Sequence, residues 1–250
     1  MPMLGVPKGI QPILGSTANL LDEKEYRENN MRTEQDRRLK SILPLIISAL
    51  TIATLLLLSF IYKIYEYPLW IDEGGIIETA SAVGYFLCAL LILLKGKWSY
   101  IKKYNYFFIL VILCGFRELD FDKKFTTMGI FKSRFYISGS VPAVEKFIGL
   151  LVIAILLYIV VSVFRNHLKD FFRKIKTISP VHIGSLMVFL TMCFTKTIDG
   201  LARKLGDVNI HINQQTSTYF EVIEEVLELG IPLLMITTFI IYFSIEKLDK

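Results

Sequence analysis

The sequence predicts an all-α fold: a polytopic membrane helix bundle of about six transmembrane helices, with both termini on the cytoplasmic side. Three observations carry that expectation. The 250 residues are 53% hydrophobic and only 20% charged, with a mean hydropathy of +0.51, too apolar for an ordinary water-soluble domain. The apolar residues are gathered into long runs, and a bilayer-crossing helix needs about 20 of them in succession. Lys and Arg sit mainly in short clusters between the runs, where they orient the chain. The formal charge of +5 is thereby assigned to topology, and a nucleic-acid module, a secreted disulfide scaffold and a disordered chain are excluded. Cys88, Cys114 and Cys193 each fall inside an apolar run without CxxC spacing and read as inert core residues.

Residues 1–40 are expected to form a cytoplasmic tail. Its stretch 5–15 is rich in Gly and Pro, and 16–40 reads as a charged helix with acid and base neighbours at helical spacing. Asp22, Glu23, Glu25, Glu28, Glu34 and Asp36 make it too acidic for a cleaved signal peptide, so the first apolar segment is expected to remain as an anchor. A six-helix domain follows over 41–246, with spans at 42–61, 74–94, 104–119, 147–164, 181–198 and 220–243, and a short tail over 247–250. Lys95, Lys97, Lys102 and Lys103 between the second and third spans, and Arg165, Lys169, Arg173, Lys174 and Lys176 between the fourth and fifth, place those loops in the cytoplasm. Arg32, Arg37, Arg38 and Lys40 before the first span agree. The basic outer loop 122–145, with Lys123, Lys124, Lys132 and Arg134, runs against the bias. The expected location is a bacterial inner membrane, with the lipid bilayer as partner and no nucleic acid.

On this topology the intramembrane charges collect at the periplasmic ends of four spans. Asp72, Glu73 and Glu78 stand at the entry of the second, and Arg117, Glu118 and Asp120 at the exit of the third. Lys196, Asp199 and Arg203 close the fifth, and Glu221, Glu224, Glu225 and Glu228 open the sixth. Helical spacing puts those four glutamates on one stripe and Lys196, Asp199 and Arg203 on one face of an antiparallel neighbour, so that direct pairing is expected. Glu78, Ser81 and Tyr85 share a face of the second span. An ionised group at the bilayer centre costs about 2.5–3.5 kcal/mol on insertion scales, so these residues need partners, water or a ligand. The ligand-binding candidates are Glu78, Arg117, Glu118, Asp120, Asp199, Arg203, Glu221, Glu224, Glu225 and Glu228. Should a divalent cation such as Mg2+ or Ca2+ be held, Glu78, Glu118, Glu224 and Glu228 are its candidate oxygen ligands.

Other chemistry is poorly supported. His167, His182 and His211 are scattered, with no HExxH, GxSxG or P-loop pattern. Trp70, Tyr65, Tyr67, Trp98, Tyr100, Tyr104 and Tyr106 flank spans as interface belts, and Pro232 reads as a kink near the acidic stripe. Asp199-Gly200-Leu201-Ala202-Arg203 is similar to the DGxxAR opening of the CDP-alcohol phosphotransferases. It lacks one residue between Gly200 and Ala202 and the downstream GxxxDxxxD, so that activity is not carried over.

Trp70-Ile71-Asp72-Glu73-Gly74-Gly75-Ile76-Ile77-Glu78 and Phe116-Arg117-Glu118-Leu119-Asp120, followed by Lys123-Lys124-Phe125, resemble a broad group of uncharacterised bacterial polytopic inner-membrane proteins. There an acidic, Gly-containing helix entry is paired with an RELD-like exit from the next helix. The resemblance covers the second and third spans and implies Glu78, Arg117, Glu118 and Asp120 as site residues, with no activity attached. The leading functional expectation is a periplasm-facing carboxylate and arginine site for a cation or a lipid headgroup, extending to metal-assisted modification of a lipid. Two other classes share the same residues: a non-enzymatic immunity or regulatory protein whose charges are structural ion pairs, and an ion-coupled transporter. The almost purely apolar inner halves, such as 150–163, argue against the last.

Overall fold

A computed structural model describes residues 40–72, 74–175 and 179–248 of the chain. Glu73, Lys176 and the expected charged helix over 16–40 lie outside the described residues, except for Lys40 itself. The chain divides into two units, 1–43 and 44–250; of the first only residues 40–43 are described, as the opening turn of a helix. Every described element is helical: α1 (Lys40–Ile61), a 3-10 turn (Ile64–Glu66), α2 (Pro68–Ile71), α3 (Ile76–Glu118), α4 (Phe121–Phe125), α5 (Ser133–Ile137), α6 (Ala143–Ile175), α7 (Pro180–Ile198), α8 (Leu201–Gly206) and α9 (Gln214–Leu248).

Five helical segments are long and apolar enough to cross a membrane: Lys40–Ile61, Pro68–Glu118, Ala143–Arg173, Pro180–Ile198 and Gln214–Ile245. The count differs from six because the expected second and third spans are one nearly continuous helical run, which folds back on itself. Lys97 (φ 57°) and Tyr104 (φ −128°, ψ 41°) break the helical geometry. The rings of Phe86 and Phe116 then lie 5.7 Å apart, although 30 straight helical residues would separate them by about 45 Å. A Cβ on Gly115 would meet the Phe86 ring at 3.1 Å, so the two arms of α3 touch along their length. The helices also outrun the expected spans, because the Lys- and Arg-rich flanks over 165–175 are good helix formers and continue α6.

α9 is the central element. In its most apolar window 61% of the residues are enclosed by protein, against 17% for α1, α6 and α7. Small residues let its neighbours approach, as expected where lipid tails offer no hydrophobic drive between helices. A Cβ on Gly230 would stand 2.8 Å from Ile52 of α1, one on Gly84 would stand 3.0 Å from Pro232, and one on Gly184 of α7 would collide with the Thr238 hydroxyl. Ser48 and Thr237 hydroxyls share a 2.7 Å hydrogen bond between α1 and α9. At the bend of α3, Tyr100 packs edge-on against Tyr242 and Phe243 of α9. The Tyr106 hydroxyl lies 2.6 Å from His167 Nε2 and ties α3 to α6.

The basic loop 122–145 is structured. Ile130, Phe135 and Val141 form a small apolar core with Met128, Tyr136 and Val152, and the Thr127 N–H and hydroxyl donate to Glu145 at 2.7 and 3.0 Å. One further expectation fails here. Lys196, Asp199 and Arg203 do not share a helix face, because α7 ends at Ile198 and Gly200 takes a left-handed conformation (φ 60°) before α8. A left-handed residue rotates the following helix out of register, which is a position suited to glycine.

Candidate functional site

The candidate site is built where α3, α7 and α9 meet. Glu78 lies in the first turn of α3 and accepts a hydrogen bond from the N–H of Gly74, whose left-handed φ of 79° turns that N–H toward the helix start. One turn deeper Ser81 is fully buried, its hydroxyl donating to Ile77 O at 3.0 Å. Tyr85 follows on the same face. It is also buried, with Cys114, Glu118, Arg117 and Glu228 as its electrostatic neighbours. Arg117 and Glu118 arrive from the returning arm of α3, and Glu118 is 5% exposed.

Glu228 is the node. Its Oε1 accepts a 2.8 Å charge-assisted hydrogen bond from Arg117 Nη2 and lies 3.5 Å from Lys196 Nζ, so one carboxylate oxygen joins α9 to both α3 and α7. Arg117 Nη2 is also 3.5 Å from Glu118, and Lys196 donates to Asp199 Oδ2 at 2.9 Å. Pro232, one turn on, has no N–H to offer the Glu228 carbonyl, so the helix ladder is interrupted next to the node. Glu225 has Glu228, Glu78, Glu224 and Glu118 as electrostatic neighbours, and Glu224 has Asp199, Glu228, Lys196 and Arg117. Asp199 lies just beyond the end of α7. Partial burial pushes its carboxyl up, but the hydrogen bond and charge of Lys196, with Lys204 and Arg117 behind it, outweigh that and hold it below the ordinary carboxylate value.

Of the sequence candidates, Glu78, Arg117, Glu118, Asp199, Glu224, Glu225 and Glu228 are thus brought into one neighbourhood. The other three are not. Asp120 turns away in a left-handed conformation (φ 50°) and pairs with Lys123 at 3.0 Å. Glu221 is exposed and takes a 3.2 Å hydrogen bond from Ser217. Arg203, on α8, lies over Gly200 and forms no ion pair with an acid among the described residues, so the expected pairing of the two stripes is made by Lys196 with Glu228. Lys196 was absent from the candidate list, although its position inside the last turn of an apolar span, three residues before Asp199, carried the signal. Among the described residues no group of three His, Cys, Asp or Glu is disposed to hold a metal ion.

The fold and this cluster define a helical protein with several candidate membrane spans and a charged network shared by three of its helices. Neither a protein-family model, nor a curated protein, nor a solved structure matches the chain.

Proposed function

We propose that this chain is a bacterial inner-membrane protein that crosses the bilayer six times, α3 crossing twice, with both termini cytoplasmic, and that its periplasm-facing carboxylate cluster binds a cation. Kinship with the bacterial polytopic group that shares the acidic helix entry and RELD-like exit is part of the same proposal. The observation that carries the reading is the charge imbalance around Glu228. Glu78, Glu118, Glu224, Glu225, Glu228 and Asp199 surround two close bases, Arg117 and Lys196. Both bases are already engaged at Glu228, so Glu224 and Glu225 have no close ion-pair partner among the described residues, and a proton or a bound cation would balance them.

The test is thermal unfolding of the detergent-purified protein against Na+, K+, Mg2+, Ca2+ and choline. A ligand that binds only the folded state stabilises by about 2.7 kcal/mol at 100 times its Kd. One cation is expected to raise the transition saturably, and Glu224→Gln or Glu225→Gln to weaken that response without preventing folding. The absence of any cation response in the native chain overturns the reading. A second reading has its own support: Glu228 Oε1 shared between Arg117 and Lys196 is the geometry of a structural clamp, suited to a regulatory or immunity protein acting through helix contacts. It predicts no cation response together with a large loss of stability when Glu228 is replaced.

A further inference from the structure

The segment that joins α3 to α6 differs from its surroundings in both charge and exposure. Over 121–137 it carries four bases against one acid, Asp122. Lys123 is held by Asp120 at 3.0 Å, while Lys124, Lys132 and Arg134 are exposed and form no ion pair among the described residues. Large apolar side chains stand beside them: Phe121, Phe125, Phe131 and Ile137 are 40%, 69%, 64% and 84% exposed. On α4, Phe121, Lys124 and Phe125 fall at i, i+3 and i+4 and share one face, with the two rings 4.7 Å apart. On α5, Arg134 and Ile137 share the face turned away from the buried Phe135. The two pieces are neighbours, since a Cβ on Gly129 would lie 3.4 Å from Asp122 Oδ2 and 4.0 Å from Lys132 Cε.

This surface sits where an apolar layer gives way to a charged one. A Cβ on Gly149 would strike the Phe135 ring at 2.8 Å, and Val152 packs against the same small core, so α5 is seated on the opening turns of α6. Those turns begin one of the long apolar helices, Ala143–Arg173. We propose that the exposed face of this segment docks on the bilayer surface and takes anionic phospholipid headgroups, with their phosphates at Lys124, Lys132 and Arg134 and their upper acyl chains against Phe121, Phe125 and Phe131. The surplus of exposed bases selects the occupant, each base at a membrane surface favouring anionic lipid by about fivefold. An acidic soluble partner would answer the bases alone. The rings among them need an apolar layer directly beneath the charge, which the headgroup boundary supplies and long basic stems reach across. The proposal rests on the membrane setting given above and is independent of the cation cluster.

Phe131→Trp, in full-length protein whose Trp70 and Trp98 are both replaced by Phe, places a single reporter on this face. The protein is reconstituted into vesicles of equal parts phosphatidylglycerol and phosphatidylcholine, with bromine on the acyl chains of one lipid or the other. Brominated phosphatidylglycerol is expected to quench the reporter more strongly, reflecting a preference of about fivefold, what one exposed base at the surface supplies. About 1 M salt, where the screening length is about 3 Å, is expected to erode that preference. Lys124→Gln with Lys132→Gln and Arg134→Gln, all at exposed positions, is expected to abolish it while quenching by both lipids persists. Lys124→Arg with Lys132→Arg, which keeps the charge, is expected to retain it. Equal quenching by the two lipids in the starting protein overturns the inference, as does a preference that survives loss of the three bases. Quenching by neither lipid overturns it together with the membrane setting. None of these variants touches Glu224, Glu225 or Glu228. Equal quenching with an intact cation response therefore sinks the docking surface alone, and a lost cation response with an intact preference sinks the cluster alone.

Discussion

Replacing Arg117 with Met removes the closest cation from Glu228 and the base beside Glu118 in a single step. Among the described residues Glu228 then keeps Lys196, at 3.5 Å, as its one ion-pair partner, and Glu118, whose side chain is 4% exposed, loses a neighbour at 3.5 Å. Stripping one partner from a buried ion pair costs about 3–5 kcal/mol. The Arg117 side chain is 44% exposed and Lys196 remains, so the expected loss is smaller, about 2 kcal/mol. Removing the carboxylate as well should restore part of it, because the uncompensated charge at position 228 goes with it. Arg117→Met/Glu228→Met is therefore expected to be more stable than the sum of the single losses by about 1–2 kcal/mol. Reversible unfolding in mixed detergent micelles, run as a double-mutant cycle, measures this term. Strict additivity, or a loss below about 0.5 kcal/mol for Arg117→Met, would refute the assignment of Glu228 as a charge node.

Two further outcomes follow from the geometry. Gly184→Ala drives a methyl into the Thr238 hydroxyl, which is itself buried and donating to Leu234 O at 2.7 Å, and brings it 3.1 Å from Leu45. A loss of about 1–3 kcal/mol is expected in the same unfolding assay, and unchanged stability would show that α7 and α9 are not in close contact there. Asp199 has a folded-state carboxyl below its ordinary value of 3.8, so its contribution to stability is present above about pH 4 and is lost as the pH falls through the lower folded value. Asp199→Asn should thus be less stable than the native chain at pH 6, with the difference closing below pH 4; a difference that is constant down to pH 3 would count against the Lys196 contact.

Much of the site was legible as a periodicity. Glu221, Glu224, Glu225 and Glu228 fall at helical spacing on α9, and three of the four reach the cluster, because a continuous helix carries its register from residue to residue. The same logic failed at Arg203. Periodicity predicts a shared face only while the helix continues, and the left-handed Gly200 ends it; the glycine was visible in the sequence, but its conformation was not. Asp120 failed for the same reason, its own positive φ directing it to Lys123.

The sequence by itself determined the helical secondary structure of this protein and the apolar runs that make its long helices candidate membrane spans. Five helices are long and apolar enough to cross a membrane, and a segment in lipid must satisfy its backbone internally, which favours helices for runs of this length. It also determined that acids would gather at one set of helix ends. Which acid meets which base was decided only by tertiary structure. The bend of α3 at Lys97 and Tyr104 folds Arg117 and Glu118 back toward Glu78, and the close approaches at Gly84, Gly184 and Gly230 set the neighbours of α9. Lys196 could then reach Glu228 from α7. Pairing of that kind depends on ångström-scale separations between segments more than a hundred residues apart, and a one-dimensional pattern of charge and hydropathy holds no term for such distances.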